Sequence, residues 1–117
     1  MTVSPIPADS LRPFASRTMR FEGAEHGSEI SFFFVDNEPG QGPALHRHPY
    51  SETWIVVEGE ATISIDGSSM VARRDDTAVV GPMLWHGFTN TGSGRLRILC
   101  IHASPRIIQE FMDPAQE

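Results

Sequence analysis

Apolar and polar residues alternate along much of this chain, and glycine or proline breaks the alternation every few residues. In Ala61-Thr-Ile-Ser-Ile-Asp66, Ala61, Ile63 and Ile65 fall on one side and Thr62, Ser64 and Asp66 on the other. That is the period of a strand with one buried face. Asp66-Gly67 follows it and predicts a hairpin turn, because glycine takes positive φ without steric cost. Phe32–Val35 and Trp54–Val57 are apolar on both faces and need cover on each side. The pattern predicts strands over Phe14–Phe21, Ile30–Val35, Ala44–His48, Glu52–Glu58, Ala61–Asp66, Met70–Ala72, Thr77–Val80, Trp85–Thr89 and Arg95–His102. Turns are predicted at Glu38–Pro43, Glu58-Gly59, Asp66-Gly67 and Thr91–Gly94. Only the tail has helical spacing: Ser104 is placed to cap, Pro105 to start, and Ile107, Ile108, Phe111 and Met112 share a side before Asp113-Pro114 ends the run.

Short strands with this punctuation define an all-β domain, as a sandwich, a jelly roll or a small barrel. With 117 residues the chain has room for one domain. The expected parts are an extended N-terminal segment and first strand (1–25), a barrel (26–103), and a C-terminal helix and tail (104–117). No apolar run approaches the ~20 residues of a membrane helix, and the N-terminus lacks a secretory pattern. The single cysteine, Cys100, excludes an internal disulfide and is compatible with a reducing cytoplasm, the expected location. Nine arginines, no lysine and a net charge of −6 argue against nucleic acid or membrane partners and exclude lysine Schiff-base chemistry.

Candidate chemistry is concentrated between Gly40 and Gly59. His46 and His48, two apart on a strand, project from the same face. The short connection Pro49-Tyr50-Ser51 leads to Glu52, and an antiparallel return would bring its carboxylate beside the two imidazoles. His86, on a later strand, could cross the same place. Three imidazoles and a carboxylate suit one divalent transition metal (Fe, Mn, Ni or Zn) with positions left for substrate, water or dioxygen.

The spacing Gly40-x5-His46-x-His48-x3-Glu52-x6-Gly59 resembles the first motif of the cupin family in every slot. The family's second motif, G-x5-P-x-G-x2-H-x3-N, is partly present over Asp75–Asn90. His86 and Asn90 keep their places, but Asp75 stands for the first Gly, Gly81 for Pro and Met83 for the second Gly. The resemblance implies a double-stranded β-helix (jelly-roll) barrel. It also implies metal ligation by His46, His48, Glu52 and His86, and frequent dimerisation. Because the family carries many chemistries, it does not name a reaction.

Strand parity places Trp54, Val56 and Phe88 in the substrate pocket, with Phe32 and Phe34 as further candidates on an earlier strand. His102 shares a face with Leu96, Ile98 and Cys100 and is the candidate catalytic acid or base. Cys100 is expected as a small core residue, His26 as exposed, and Arg47, facing away from the ligands, as a surface ion-pair partner. The expected function is a metal-dependent enzyme of dioxygenase, oxidative or isomerase type acting on a small organic molecule; the alternative is a non-catalytic sensor or binding module. An epimerase site of the His–Asp base and Tyr acid kind is disfavoured, since the only tyrosine, Tyr50, lies in the turn between ligands. The doubly apolar strands predict a homodimer.

Overall fold

A computed structural model describes residues 4–116. Residues 1–3 and 117 of the expected terminal segments lie outside it. Among the described residues ten strands form two five-stranded antiparallel sheets. The first sheet has the order β1 (Met19–Phe21), β2 (Ser31–Asn37), β9 (Leu96–His102), β4 (Glu52–Glu58), β7 (Thr77–Val80). The second has the order β10 (Glu110–Phe111), β3 (His46–Arg47), β8 (His86–Asn90), β5 (Glu60–Ile65), β6 (Ser68–Arg73). The sheets face each other as a jelly roll, and Trp54, Val56, Ile63, Val80, Leu96 and Ile98 fill the space between them. Asp66 and Gly67, both at positive φ, turn β5 into β6 as the Asp-Gly pair requires.

The predicted strand over Phe14–Phe21 shortens to Met19–Phe21. Phe14 follows Pro13, sits at φ 49 and is fully exposed, so no ladder extends that far. The predicted C-terminal helix does not form. Residues 103–109 run irregularly, and Glu110 and Phe111 pair with Arg47 and His46 as an edge strand. Isoleucines at 107 and 108 are poor helix formers, and so short a segment cannot offset the cost of helix nucleation. Its backbone finds ready partners on the free edge of β3 instead. Among the described residues the helical elements are short 3-10 turns, Ala8–Leu11, Gly23–Glu25 and Pro114–Gln116, and no helix is long and apolar enough to cross a membrane.

Candidate metal centre

Facing residues of adjacent strands make rungs that run across each sheet. In the first sheet Ser31, His102, Glu52 and Val80 share one inward rung. The next inward rung is Phe33, Cys100, Trp54 and Ala78, and the one beyond includes Val35, Ile98 and Val56. Polarity therefore falls from one end of the barrel to the other. In the second sheet Phe111, His46, His86 and Ile65 form a single rung. The polar rung of one sheet meets the histidine rung of the other, and His48 joins them just after β3. Ligand atoms of His46, His48, Glu52 and His86 lie within 4.8 Å of one another, and all four residues are buried.

Each of these imidazoles is held by its Nδ1. That of His46 donates to the Ala44 carbonyl at 2.7 Å, that of His86 to the Leu84 carbonyl at 2.9 Å, and that of His48 to the Ile108 carbonyl at 2.7 Å. A carbonyl only accepts, so Nδ1 carries the hydrogen and, in neutral rings, Nε2 presents a lone pair. Burial depresses the His46 pKa to about 4, even against its hydrogen bond to Ala44, so this ring is neutral near pH 7. The Nε2 atoms of His48 and His86 both lie 3.0 Å from Glu52 Oε1. Burial alone would raise the Glu52 carboxyl, but hydrogen bonding, from His102 first, outweighs it and holds the group ionised, well below the usual carboxylate range. Lone pairs of neutral imidazoles facing a carboxylate oxygen repel unless a cation lies among them. The donor set, its tautomers and its charge thus fit a divalent ion.

The other carboxylate oxygen is occupied by protein. Trp54 Nε1 donates to Glu52 Oε2 at 2.8 Å, and His102 Nε2 lies 3.4 Å from it. On its far side His102 Nδ1 meets the Tyr50 hydroxyl at 2.6 Å. A proton on Nε2 lets His102 face the carboxylate favourably, with the tyrosine donating to Nδ1. Burial raises the Tyr50 pKa to about 12, which keeps the phenol protonated for that role. His102 is thus in contact with Glu52 and outside the four-residue ligand cluster.

A cavity of about 810 Å³ opens beside the cluster. His46, Glu52 and His102 reach it, and Phe33, Trp54 and Phe88 form its apolar wall. Phe32 and Phe34 do not line it. An all-phenylalanine run carries no parity signal, and the register decides: Phe33 opposes buried Cys100, whereas Phe34 opposes Leu99 and Phe32 opposes Ile101 on the outer side. Phe32 stacks on Phe21, and Phe34 lies under the Arg97 guanidinium. Val56 has the inward parity expected of it but is buried in the core instead of the cavity wall. Cys100 borders the cavity with its pKa pushed up, first by burial and then by the Glu52 charge, which leaves it a thiol. His26 is exposed against Phe21, and Arg47 pairs with Glu110 through two contacts of 3.1 Å while covering Trp85.

Sequence reasoning missed Phe33 and the role of Tyr50. His46, His48 and Tyr50 do share a parity, but Pro49 and the turn signal obscured it. Tyr50 stacks flat on His48, with ring centres 5.0 Å apart, instead of pointing away into solvent. Of the three departures from the second motif, the two at glycine positions keep a backbone that glycine favours: Asp75 and Met83 both adopt positive φ, 75° and 64°. Asn90 holds the turn after β8 by donating to the Gly94 and Asn37 carbonyls and accepting from the Gly92 amide.

Comparison with known proteins agrees with this geometry. The cupin domain family model matches residues 33–102. The polyketide synthase CurC of Streptomyces cyaneus is 35% identical over 68 residues, which cover 57% of this chain and 44% of that protein. The uncharacterized protein MJ1618 of Methanocaldococcus jannaschii is 30% identical over 67 residues, covering 56% and 54% respectively. The matches thus span about half the length of these curated relatives. Among solved structures, an oxalate oxidase superposes with a TM-score of 0.73 and 26% identity, covering 86% of this chain and 56% of its own. A double-stranded β-helix protein from Klebsiella pneumoniae superposes with a TM-score of 0.74 and 23% identity over 96% of this chain and 99% of its own. With its ligand spacing, its jelly-roll sheets and a family match over more than half its length, the chain belongs to the cupin family.

Proposed function

We propose that this protein is a metal-dependent enzyme that oxidises or isomerises a small organic molecule. The observation that carries the reading is the convergence of three oriented imidazole lone pairs and an ionised carboxylate on one point beside a cavity with an aromatic wall. A divalent Fe, Mn, Ni or Zn held by His46, His48, Glu52 and His86 would supply Lewis acidity and, for iron or manganese, redox chemistry. The chain's own residues do the rest. Phe33, Trp54 and Phe88 exclude water and orient an apolar ligand, and Trp54 also fixes Glu52 Oε2. His102 can hold or release a proton at Nε2, at the edge of the cavity, with Tyr50 behind it.

The cavity favours a substrate larger and less charged than a two-carbon dianion. Its volume suits a molecule with one or more rings. The arginines that line it, Arg17 and Arg95, are already engaged by Asp36, and Arg95 also by Glu38. The polyketide synthase name of one relative accords with a bulkier ligand.

We further propose a homodimer formed through the outer face of the first sheet. Phe32, Phe34, Ile55, Leu99 and Ile101 are half-buried there, and Val79 is 63% exposed. An apolar face of this kind on an antiparallel sheet calls for a partner, and a two-fold contact would cover it.

Turnover is tested by loading the protein with Fe(II) or Mn(II) and following oxygen uptake and product mass with a panel of aromatic and alicyclic substrates. Turnover lost in His102→Ala, with metal content kept, supports the enzyme. Ligand binding with no turnover under any metal would leave a binding module and overturn the catalytic reading.

A further inference from the structure

Two of the three imidazoles are oriented locally and one is not. His46 and His86 each donate to the carbonyl two residues before them, so their own strands hold them. His48 donates instead to Ile108, 60 residues further along the chain. That carbonyl belongs to a strap, residues 107–112, which is fastened at several points. The Ile107 amide donates to Glu22 Oε2 at 2.8 Å, and the Ile108 amide donates to the Tyr50 hydroxyl at 3.1 Å. Glu110 and Phe111 pair with β3, and the Met112 amide donates to the Leu45 carbonyl at 3.0 Å. The strap also reaches the cluster through Phe111, whose ring stacks on His46 with centres 5.2 Å apart.

We propose that this strap is a working part of the metal centre: its Ile108 carbonyl selects the ligating tautomer of His48, Phe111 packs His46, and Tyr50 is the positioning residue that seats it. The inference rests on the metal-binding reading above. Without the Ile108 carbonyl the His48 ring has no partner that demands a hydrogen on Nδ1. The proton can then move to Nε2, which faces Glu52, and that form cannot ligate. Docking and metal affinity are therefore coupled, and the coupling is reciprocal: bound metal must tighten the strap as the strap tightens the metal. Tyr50 links the two, since its hydroxyl accepts from the Ile108 amide while its ring lies on His48. Glu22 fastens the strap without touching any of the four ligands, which makes it a clean handle on docking alone.

Co(II) serves as the probe. Its affinity is measured by competition with a chromophoric chelator, and its visible spectrum reports the ligand set. The full chain is compared with a chain ended after Arg106 and with Tyr50→Phe and Glu22→Ala. The shortened chain is expected to bind Co(II) about 10–100-fold more weakly, as for loss of other groups that orient ligands, and with altered visible bands. The two point variants should weaken binding several-fold while their β-sheet circular dichroism is unchanged. Hydrogen exchange should show the Ile108 amide slowed by Co(II) in the full chain, with amides of β6 unaffected. Affinity within twofold of the full chain and an identical spectrum in the shortened chain would overturn the proposal. If that chain does not fold, unchanged affinity in both point variants does so. A full chain that takes up no Co(II) would refute the metal reading and this inference with it, whereas tight binding indifferent to the strap refutes the inference alone.

Discussion

The inner and outer faces of the first sheet are made from alternate residues of the same strands, yet near the cluster their polarity is the reverse of what a half-solvated sheet shows. Inside, Ser31, His102 and Glu52 form a buried polar rung. Outside, one step along, Phe32, Ile101, Thr53 and Val79 form a mostly apolar rung, and the following one includes Phe34, Leu99 and Ile55. Buried polar groups destabilise a fold unless each has a partner. Here the inner ones do: Ser31 donates to the Ser104 carbonyl and accepts from the Gly23 amide, His102 meets Tyr50, and Glu52 meets Trp54 and the imidazoles. The outer residues are covered only in part within the chain, Phe32 by Phe21 and Phe34 by Arg97, and Val79 stays exposed. On the function and the dimer proposed above, the same strands would carry two interfaces, one toward a ligand and one toward a second copy.

The largest effect is expected on the inner face. Glu52→Gln keeps the shape but removes the charge, and its amide can donate to the imidazole lone pairs. Metal affinity should fall on the order of 100-fold or more, since even groups that only orient ligands are worth 10–100-fold. The metal-free melting temperature should hold or rise, and calorimetry with and without metal checks both halves.

The outer face should respond separately. Leu99→Glu puts a charge at the centre of the apolar rungs and should weaken self-association by tens of fold, the scale of a central interface residue. Light scattering would then show a monomer, with metal content unchanged. A wild-type mass near 12.9 kDa at low micromolar concentration would show that no dimer forms.

Acid sharpens the contrast further. His46 titrates near 4 in the fold against about 6.5 when unfolded, so the unfolded chain binds the proton first as pH falls. Its contribution is complete above about pH 6.5 and is lost on the way down to about 4. Glu52 and Asp36 act in the same direction at lower pH. Burial tends to raise both, but hydrogen bonds win: to His102 first for Glu52, and to Arg95 and Arg17 for Asp36. Each folded carboxyl is thus depressed, and its stabilisation is present above its ordinary value and lost as pH falls below it. Denaturation of the metal-free chain should lose a few kcal/mol between pH 7 and pH 4. A flat profile over that range would show that the fold does not hold His46 neutral.

The smallest effect concerns the second motif. Met83 occupies the left-handed region at φ 64, which costs a side chain about 1–2 kcal/mol, while its amide donates to the His48 carbonyl at 2.7 Å. Met83→Gly relieves that strain at some entropic cost. A net gain of about 0.5–1 kcal/mol is expected, a few degrees in melting temperature. A loss of stability would show that the methionine side chain outweighs its backbone.

Much of this was legible in the sequence for definite physical reasons. Strands with one buried face announce themselves by alternation, so Ala61–Asp66 is met within a residue at each end, and turn signals bound Glu52–Glu58 and Thr77–Val80, which match the structure at both ends. Ligand spacing reflects rigid local geometry, and His46, His48, Glu52 and His86 do come together. Legibility ended where local signals conflicted or vanished. Phe32, Phe33 and Phe34 carry no parity, so only pairing with β9 shows that Phe33 faces the cavity. The tail has helical spacing, but the open edge of β3 and the His48 Nδ1 hydrogen offer its backbone better partners than a short isolated helix would. Tyr50 reads as a turn residue until the strap is seen lying against it.

Metal uptake tests the central claim most directly. The protein, stripped with a chelator, is titrated with Mn(II), Fe(II), Ni(II) and Zn(II) in turn, beside His86→Ala, and bound metal is measured by elemental analysis after desalting. One ion per chain is expected for at least one of these metals, with a raised melting temperature, and a much smaller amount in the variant. Wild-type protein that retains no metal from any titration, or retains as much as His86→Ala does, would contradict the account.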